Sequence, residues 1–193
     1  MSEKTSLQKH VGYFDPDGDD IVWPADTFRG VRTLDSTSLF VGTNDVTEMF
    51  IFHFCWHFYP VLSLHSTRSR IYIKNIKWDV HGTDSRAFDP YGNFVNENFE
   101  KIFNEHSTAP EKDSLTLWDT VVMIWNLHSA NDFFGPIASL ASFLIAYYLL
   151  AGPDGKVKKA HLKTVYDGSG FHSIARQVAL GRKRGQLDPT LKF

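Results

Sequence analysis

A single cysteine, Cys55, stands among the 193 residues, so no disulfide can close within the chain. Charge of one sign is equally scarce: 20 basic side chains face 22 acidic ones, a formal net charge of −2. That balance removes the field that draws proteins to nucleic acid, and no nucleic-acid partner is expected. The short run Arg182-Lys183-Arg184 reads as part of a solvated basic tail, 181–193. The opening MSEKTSLQKH lacks the apolar core of a secretory signal, which with the lone cysteine points to an intracellular protein. Long apolar runs are also scarce. Residues 133–151 carry no charge, but a helix begun at Pro136 and ended at Ala151 is about 24 Å long against about 30 Å of hydrocarbon. A core helix using Ser139, Ser142 and Ala146 for close packing is the expectation there.

What is present is 42% hydrophobic and 15% aromatic residues, enough for one core and one domain over 1–193. The periodicity predicts a mainly α fold with a small β component. A short helix over 6–14 enters an acidic loop, and a second follows from about Ala25 to Leu34 with Pro24 ahead of it. Residues 36–70 form an aromatic central segment. Ile71-Tyr72-Ile73-Lys74-Asn75-Ile76 alternates as a half-buried strand does. Further helices are predicted from Asn96 to His106, from Ser114 through Trp125, from Gly135-Pro136 to Gly152, near 160–166 and from about His172.

Residues 15–26, DPDGDDIVWPAD, put Asp15, Asp17, Asp19 and Asp26 at loop positions 1, 3, 5 and 12, with the carbonyl of Ile21 at position 7. A hard cation takes about 6–8 oxygens, and this spacing wraps the backbone so that alternate ligands converge, as in an EF-hand. Asp20 occupies the usual glycine position, which an aspartate tolerates in a left-handed conformation, and Asp26 replaces the longer bidentate glutamate. The loop therefore reads as a weak calcium or magnesium site, or else as a solvated acidic turn. EF-hands work in pairs, and Ala151-Gly152-Pro153-Asp154-Gly155-Lys156-Val157 reads as a degenerate, metal-free partner whose Val157 pairs with Val22. His53 and His57 stand four apart at metal-ligand spacing, but their neighbours Phe52, Phe54, Trp56, Phe58 and Tyr59 favour a pocket wall or an interfacial patch.

Three blocks then fall in one order along the chain. They are Leu7-Gln8-Lys9-His10-Val11-Gly12-Tyr13-Phe14-Asp15 running into the loop, Ile71–Ile76 in the strand above followed by His81-Gly82-Thr83-Asp84-Ser85, and Tyr166-Asp167-Gly168-Ser169-Gly170-Phe171. Together they resemble the caleosin family: its calcium-hand entry, its HGSDS-type loop, and its DGSLF element with glycine in place of leucine. The resemblance implies an EF-hand haem peroxygenase, carrying haem b on His10 and His81 and acting on a hydrophobic small molecule or fatty-acid-derived hydroperoxide. The family's anchoring hairpin finds no match, since 39–71 holds Asn44, Asp45, Glu48, three histidines and two arginines. A peripheral association with lipid droplet or endoplasmic reticulum is left open by the family likeness. Two alternatives stay open as well. One is a haem-independent tailoring enzyme of secondary metabolism, with the histidines and Asp84 as acid–base groups. The other is a non-enzymatic calcium-binding protein of a lipid surface, docking through 50–59.

Overall fold

The structure is a computed structural model, and it describes residues 3–34, 70–80 and 82–181. The expectations for His53, His57, His81, the aromatic segment 50–59 and the basic tail from Arg182 lie outside these residues. Helix α1 (Ser6–Gly12) starts from a capping box. Thr5 accepts the Gln8 amide, and the Gln8 side chain accepts the Thr5 amide, so two otherwise orphaned donors are satisfied. The acidic loop leads into β1 (Ile21–Val22) and α2 (Pro24–Leu34), which begins on the proline whose fixed φ suits a first helical turn.

Strand β1 pairs antiparallel with β2 (Ile71–Tyr72), Ile21 opposite Tyr72 and Val22 opposite Ile71. The expected longer strand stops there. Ile73–Trp78 winds into a 3-10 helix that buries Ile73 and Ile76, three apart, which is the repeat of that helix rather than of a strand. Helix α3 (Asn96–His106) buries Phe99, Ile102 and Phe103.

The chain then forms β3 (Ser114–Thr116), α4 (Leu117–Leu127), α5 (Gly135–Leu150), β4 (Lys156–Lys158), α6 (Lys159–Asp167) and α7 (Gly170–Ala179). Ser114 therefore opens a strand rather than a helix. Thr116 caps α4, accepting the Asp119 amide at 3.1 Å while Asp119 accepts the Thr116 amide at 2.8 Å. The mainly helical architecture with EF-hand-like helix–loop–helix units is the one expected, but the pairing of Val22 with Val157 is corrected. Leu115 faces Val157 across the β3–β4 ladder, joining the α3–α4 and α5–α6 units, while Val22 faces Ile71. Ladders of two or three residues carry too little side-chain pattern to specify a partner.

Helix α5 is apolar all round, yet it buries only Gly135, Ala138, Leu149 and Leu150, and Ile137 is 63% exposed. It is a core helix at its ends and a wall in between. No helix among the described residues is long and apolar enough to cross a membrane. Helix α1 packs on α6 and the 3-10 helix, and α7 packs on α6 and α2. At the α1–α6 contact Gly168 takes φ +89°, and a Cβ there would meet the Ser6 carbonyl at 2.7 Å and the Lys9 Cβ at 2.6 Å. Gly168→Ala is expected to cost roughly 2–4 kcal/mol, the sum of left-handed strain and a backbone clash, read as a lowered denaturation midpoint at unchanged slope.

Candidate functional site

Helix α1 presents His10 toward α6. Its Nδ1 lies 2.9 Å from the Val165 carbonyl, which only accepts, so Nδ1 carries the proton and Nε2 the lone pair of the neutral ring. The Phe171 ring sits against the imidazole, with centroids 4.6 Å apart. Burial drives the His10 pKa below its usual value, and the bond to Val165 opposes that shift less strongly. The approach of Val165 depends on the turn that follows it. Asp167 accepts the Ser169 amide and hydroxyl at 2.9 and 2.6 Å, and a Cβ on Gly170 would meet the Val165 nitrogen at 2.8 Å. A leucine at 170 has no room here, which gives the departure from the DGSLF pattern a steric reason.

His10 lines a cavity of about 300 Å³ whose wall includes Phe88, Phe134, Ser142, Tyr166 and Phe171. Ser142 and Ala146, assigned to close packing by the sequence, face this space, while Ser139 donates to the Thr83 carbonyl at 3.0 Å. The volume is at the lower end for ligand sites, and the wall is mostly apolar with a few polar groups, as such sites are. Burial first, with the Asp84 charge adding a smaller share, raises the Tyr166 phenol pKa to about 12, and Ser85 Oγ lies 3.4 Å from the Tyr166 hydroxyl. The structure thus brings His10 to the cavity wall, while Asp84 is not among the residues that line it. The chain after His81 is fixed by Asp132, which accepts the Thr83 amide at 2.7 Å.

An imidazole whose Nδ1 proton is held by a backbone carbonyl is the usual arrangement of a metal-ligating histidine, with Nε2 as the donor. The neutral ring, the apolar wall and the adjoining Phe171 ring suit haem, which His10 would hold from its side.

The acidic loop places side-chain oxygens of Asp15, Asp17 and Asp19 within 4.8 Å of one another. Asp20 takes φ +61°, the left-handed conformation expected at the sixth position, and Ile21 lies in β1 with its amide on Asp19. Asp26 is placed differently. Its carboxylate accepts the Trp23 amide at 3.0 Å and the Arg29 guanidinium at 3.1 Å, so it caps α2, which a short side chain reaches more readily than the loop centre. The Asp15 pKa is raised from its usual value by desolvation first, with Asp17 and Asp19 adding to it against opposing backbone bonds. A bound cation reverses that crowding. Saturating calcium or magnesium is expected to raise the melting temperature, and Asp15→Ala to abolish the increment; an unmoved melting temperature in the unaltered chain makes the loop an acidic turn.

Tyr166 and the Val165 carbonyl were not singled out by the sequence. The first falls within the third motif block and has no chemical signal of its own, and a backbone carbonyl has none.

The family model described as caleosin related protein matches residues 2–175. Among curated proteins the chain is 29% identical over 184 residues to a "Probable peroxygenase 4" of Arabidopsis thaliana, covering 91% of this chain and 88% of that protein. It is also 29% identical over 184 residues to a "Peroxygenase" of Lilium longiflorum, covering 90% of this chain and 71% of the other. A "Probable inactive peroxygenase-like protein" of Arabidopsis thaliana is 29% identical over 116 residues, 60% of this chain and 55% of that protein. No solved structure matches.

Proposed function

This chain belongs to the caleosin family, and from that premise we propose that it is a haem-dependent peroxygenase acting on lipid or organic hydroperoxides. It is an enzyme of the peroxygenase type, an oxidoreductase like the relatives so named. The reaction converts a hydroperoxide to the alcohol while one peroxide oxygen passes to a hydrophobic acceptor, so the peroxide is reduced and the acceptor oxidised. The observation that carries the reading is His10, neutral and oriented by Val165 in the wall of an apolar cavity.

His10 would hold haem b through Nε2, with His81 as the second histidine that the family likeness assigns. The chemistry that a bound haem supplies is cleavage of the peroxide O–O bond and delivery of one oxygen. Val165 fixes the imidazole tautomer and ring direction, and the Phe171 ring restricts its tilt. Phe88, Phe134 and Phe171 exclude water and accept an apolar chain, which favours a fatty-acid-derived substrate. Asp15, Asp17 and Asp19 would take calcium or magnesium three residues beyond α1, steadying the helix that carries His10.

The purified protein should absorb in the haem Soret region and transfer isotopic oxygen from a labelled hydroperoxide to an alkene or sulfide. A colourless protein that turns over a small molecule without peroxide returns the fold to acid–base chemistry through its histidines and Asp84. Label arriving from water rather than peroxide also overturns the proposal.

A further inference from the structure

The cavity wall is apolar over most of its area, and Tyr166 is among the few residues lining it that carry a polar group. The ring is fixed by three others: Phe88 at 5.4 Å, Phe94 at 6.2 Å and Phe99 at 5.4 Å between centroids. Such a ring has little freedom, so its hydroxyl is set in one place. That hydroxyl meets Ser85 Oγ at 3.4 Å, a long contact. Ser85 Oγ in turn receives the Ala87 amide at 3.4 Å. That amide leaves the serine proton available to Tyr166 Oη, and in that arrangement the phenol proton can turn to a ligand.

We propose that Tyr166, backed by Ser85, is an oxygen-recognition point of the cavity, donating a hydrogen bond to the oxygenated head of an otherwise apolar ligand. The ligand class is an alkyl chain bearing a hydroperoxide, hydroxyl or carbonyl oxygen. Its identity as a peroxygenase substrate rests on the reading above, but the recognition itself does not. Three features match the role. The donor is rigid, because its ring is packed on Phe88, Phe94 and Phe99. It stays protonated, because burial and then the Asp84 carboxylate raise the phenol to about 12. It also stands in a wall where an oxygen that lost its water would otherwise have few partners. Tyr166 is a positioning residue here. It chooses which end of an apolar molecule sits at this wall.

The test is equilibrium binding to the purified full chain with no peroxide present, using decanol and decane as probes and displacement of an environment-sensitive fluorophore as the readout. The unaltered protein should bind decanol more tightly than its apolar surface alone accounts for. Tyr166→Phe keeps the ring packing and should weaken decanol roughly five-fold, the ~1 kcal/mol of one neutral hydrogen bond, while decane changes less than about two-fold. Ser85→Ala, which leaves the phenol unoriented, should weaken decanol in the same direction and spare decane. If Tyr166→Phe leaves the ratio of the two affinities unchanged, or weakens both probes alike, the ring is packing only and the proposal fails. If Tyr166→Phe misfolds, the Ser85→Ala ratio decides by the same criterion. Turnover plays no part, so a protein without peroxygenase activity can still discriminate the probes, and a protein that fails to discriminate them can still be a peroxygenase.

Discussion

His10→Ala should remove or shift the Soret absorption and lower peroxide-dependent turnover at least ~10²-fold, with the melting temperature changing much less than activity does. The expectation follows from the placement of the ring. Its Nδ1 is committed to Val165, so one substitution removes both the Nε2 lone pair and the hydrogen bond that aims it. The spectrum separates two roles: a fall of roughly 10²–10⁴ with an intact Soret band makes His10 an acid–base group and leaves the haem to other ligands. The pH dependence adds an independent check. Burial lowers the His10 pKa, so the ring stays neutral as pH falls through about 6.5, where an ordinary histidine would titrate. Uptake of haem by a neutral His10 should therefore hold through that pH and decline only below it. Stability moves with the opposite partner: as pH drops below the unfolded value the unfolded chain gains the proton first, so the His10 contribution to stability shrinks from about pH 6.5 downward. A profile centred at or above the ordinary histidine value would contradict the desolvated setting of the ring.

Phe99→Ala should cost about 3–5 kcal/mol and is expected to be the most destabilising single truncation in the helical core. Phe99 is fully buried and meets Phe94, Phe103 and Tyr166 edge-on or tilted at 5.3–5.5 Å. Truncation removes burial and three ring contacts and leaves a void that α3 cannot close without moving Phe103. Because Tyr166 is one of the three partners, the same substitution should loosen the cavity wall and reduce decanol binding. Urea midpoints give the first effect and probe binding the second. A loss below about 1.5 kcal/mol would mean that the ring cluster is far less tightly packed than its geometry indicates.

Much of this arrangement is legible in the residues. Proline at position 24 and Gly135-Pro136 mark helix starts because a fixed proline dihedral acts locally, and the helices begin within a residue of them. Asn96 also stands at a start, but as the first helical residue after Val95 and not as the cap expected of it. The convergence of Asp15, Asp17 and Asp19 is local in the same way, since loop spacing alone brings those carboxylates together. The order of the three motif blocks also suffices to identify the family, because it samples the whole chain rather than one site.

Contacts made across the fold were not legible. Asp26 could ligate a cation or cap α2, and the nearness of the Trp23 amide decides which one the packed helix presents. The expected pairing of Val22 with Val157 is replaced by two separate ladders because strands of two or three residues are chosen by the packing of the helices beside them. The glycines at 168 and 170 look interchangeable in sequence. One is required by positive φ against α1 and the other by the closeness of Val165, and through these contacts the chain turns a carbonyl 155 residues away toward His10. The sequence by itself determined the family, the helices and the acidic loop, whose causes are short-range. Only the tertiary structure decided which nitrogen of His10 is held and that Tyr166 shares its cavity, because these depend on residues that meet only after the core has closed.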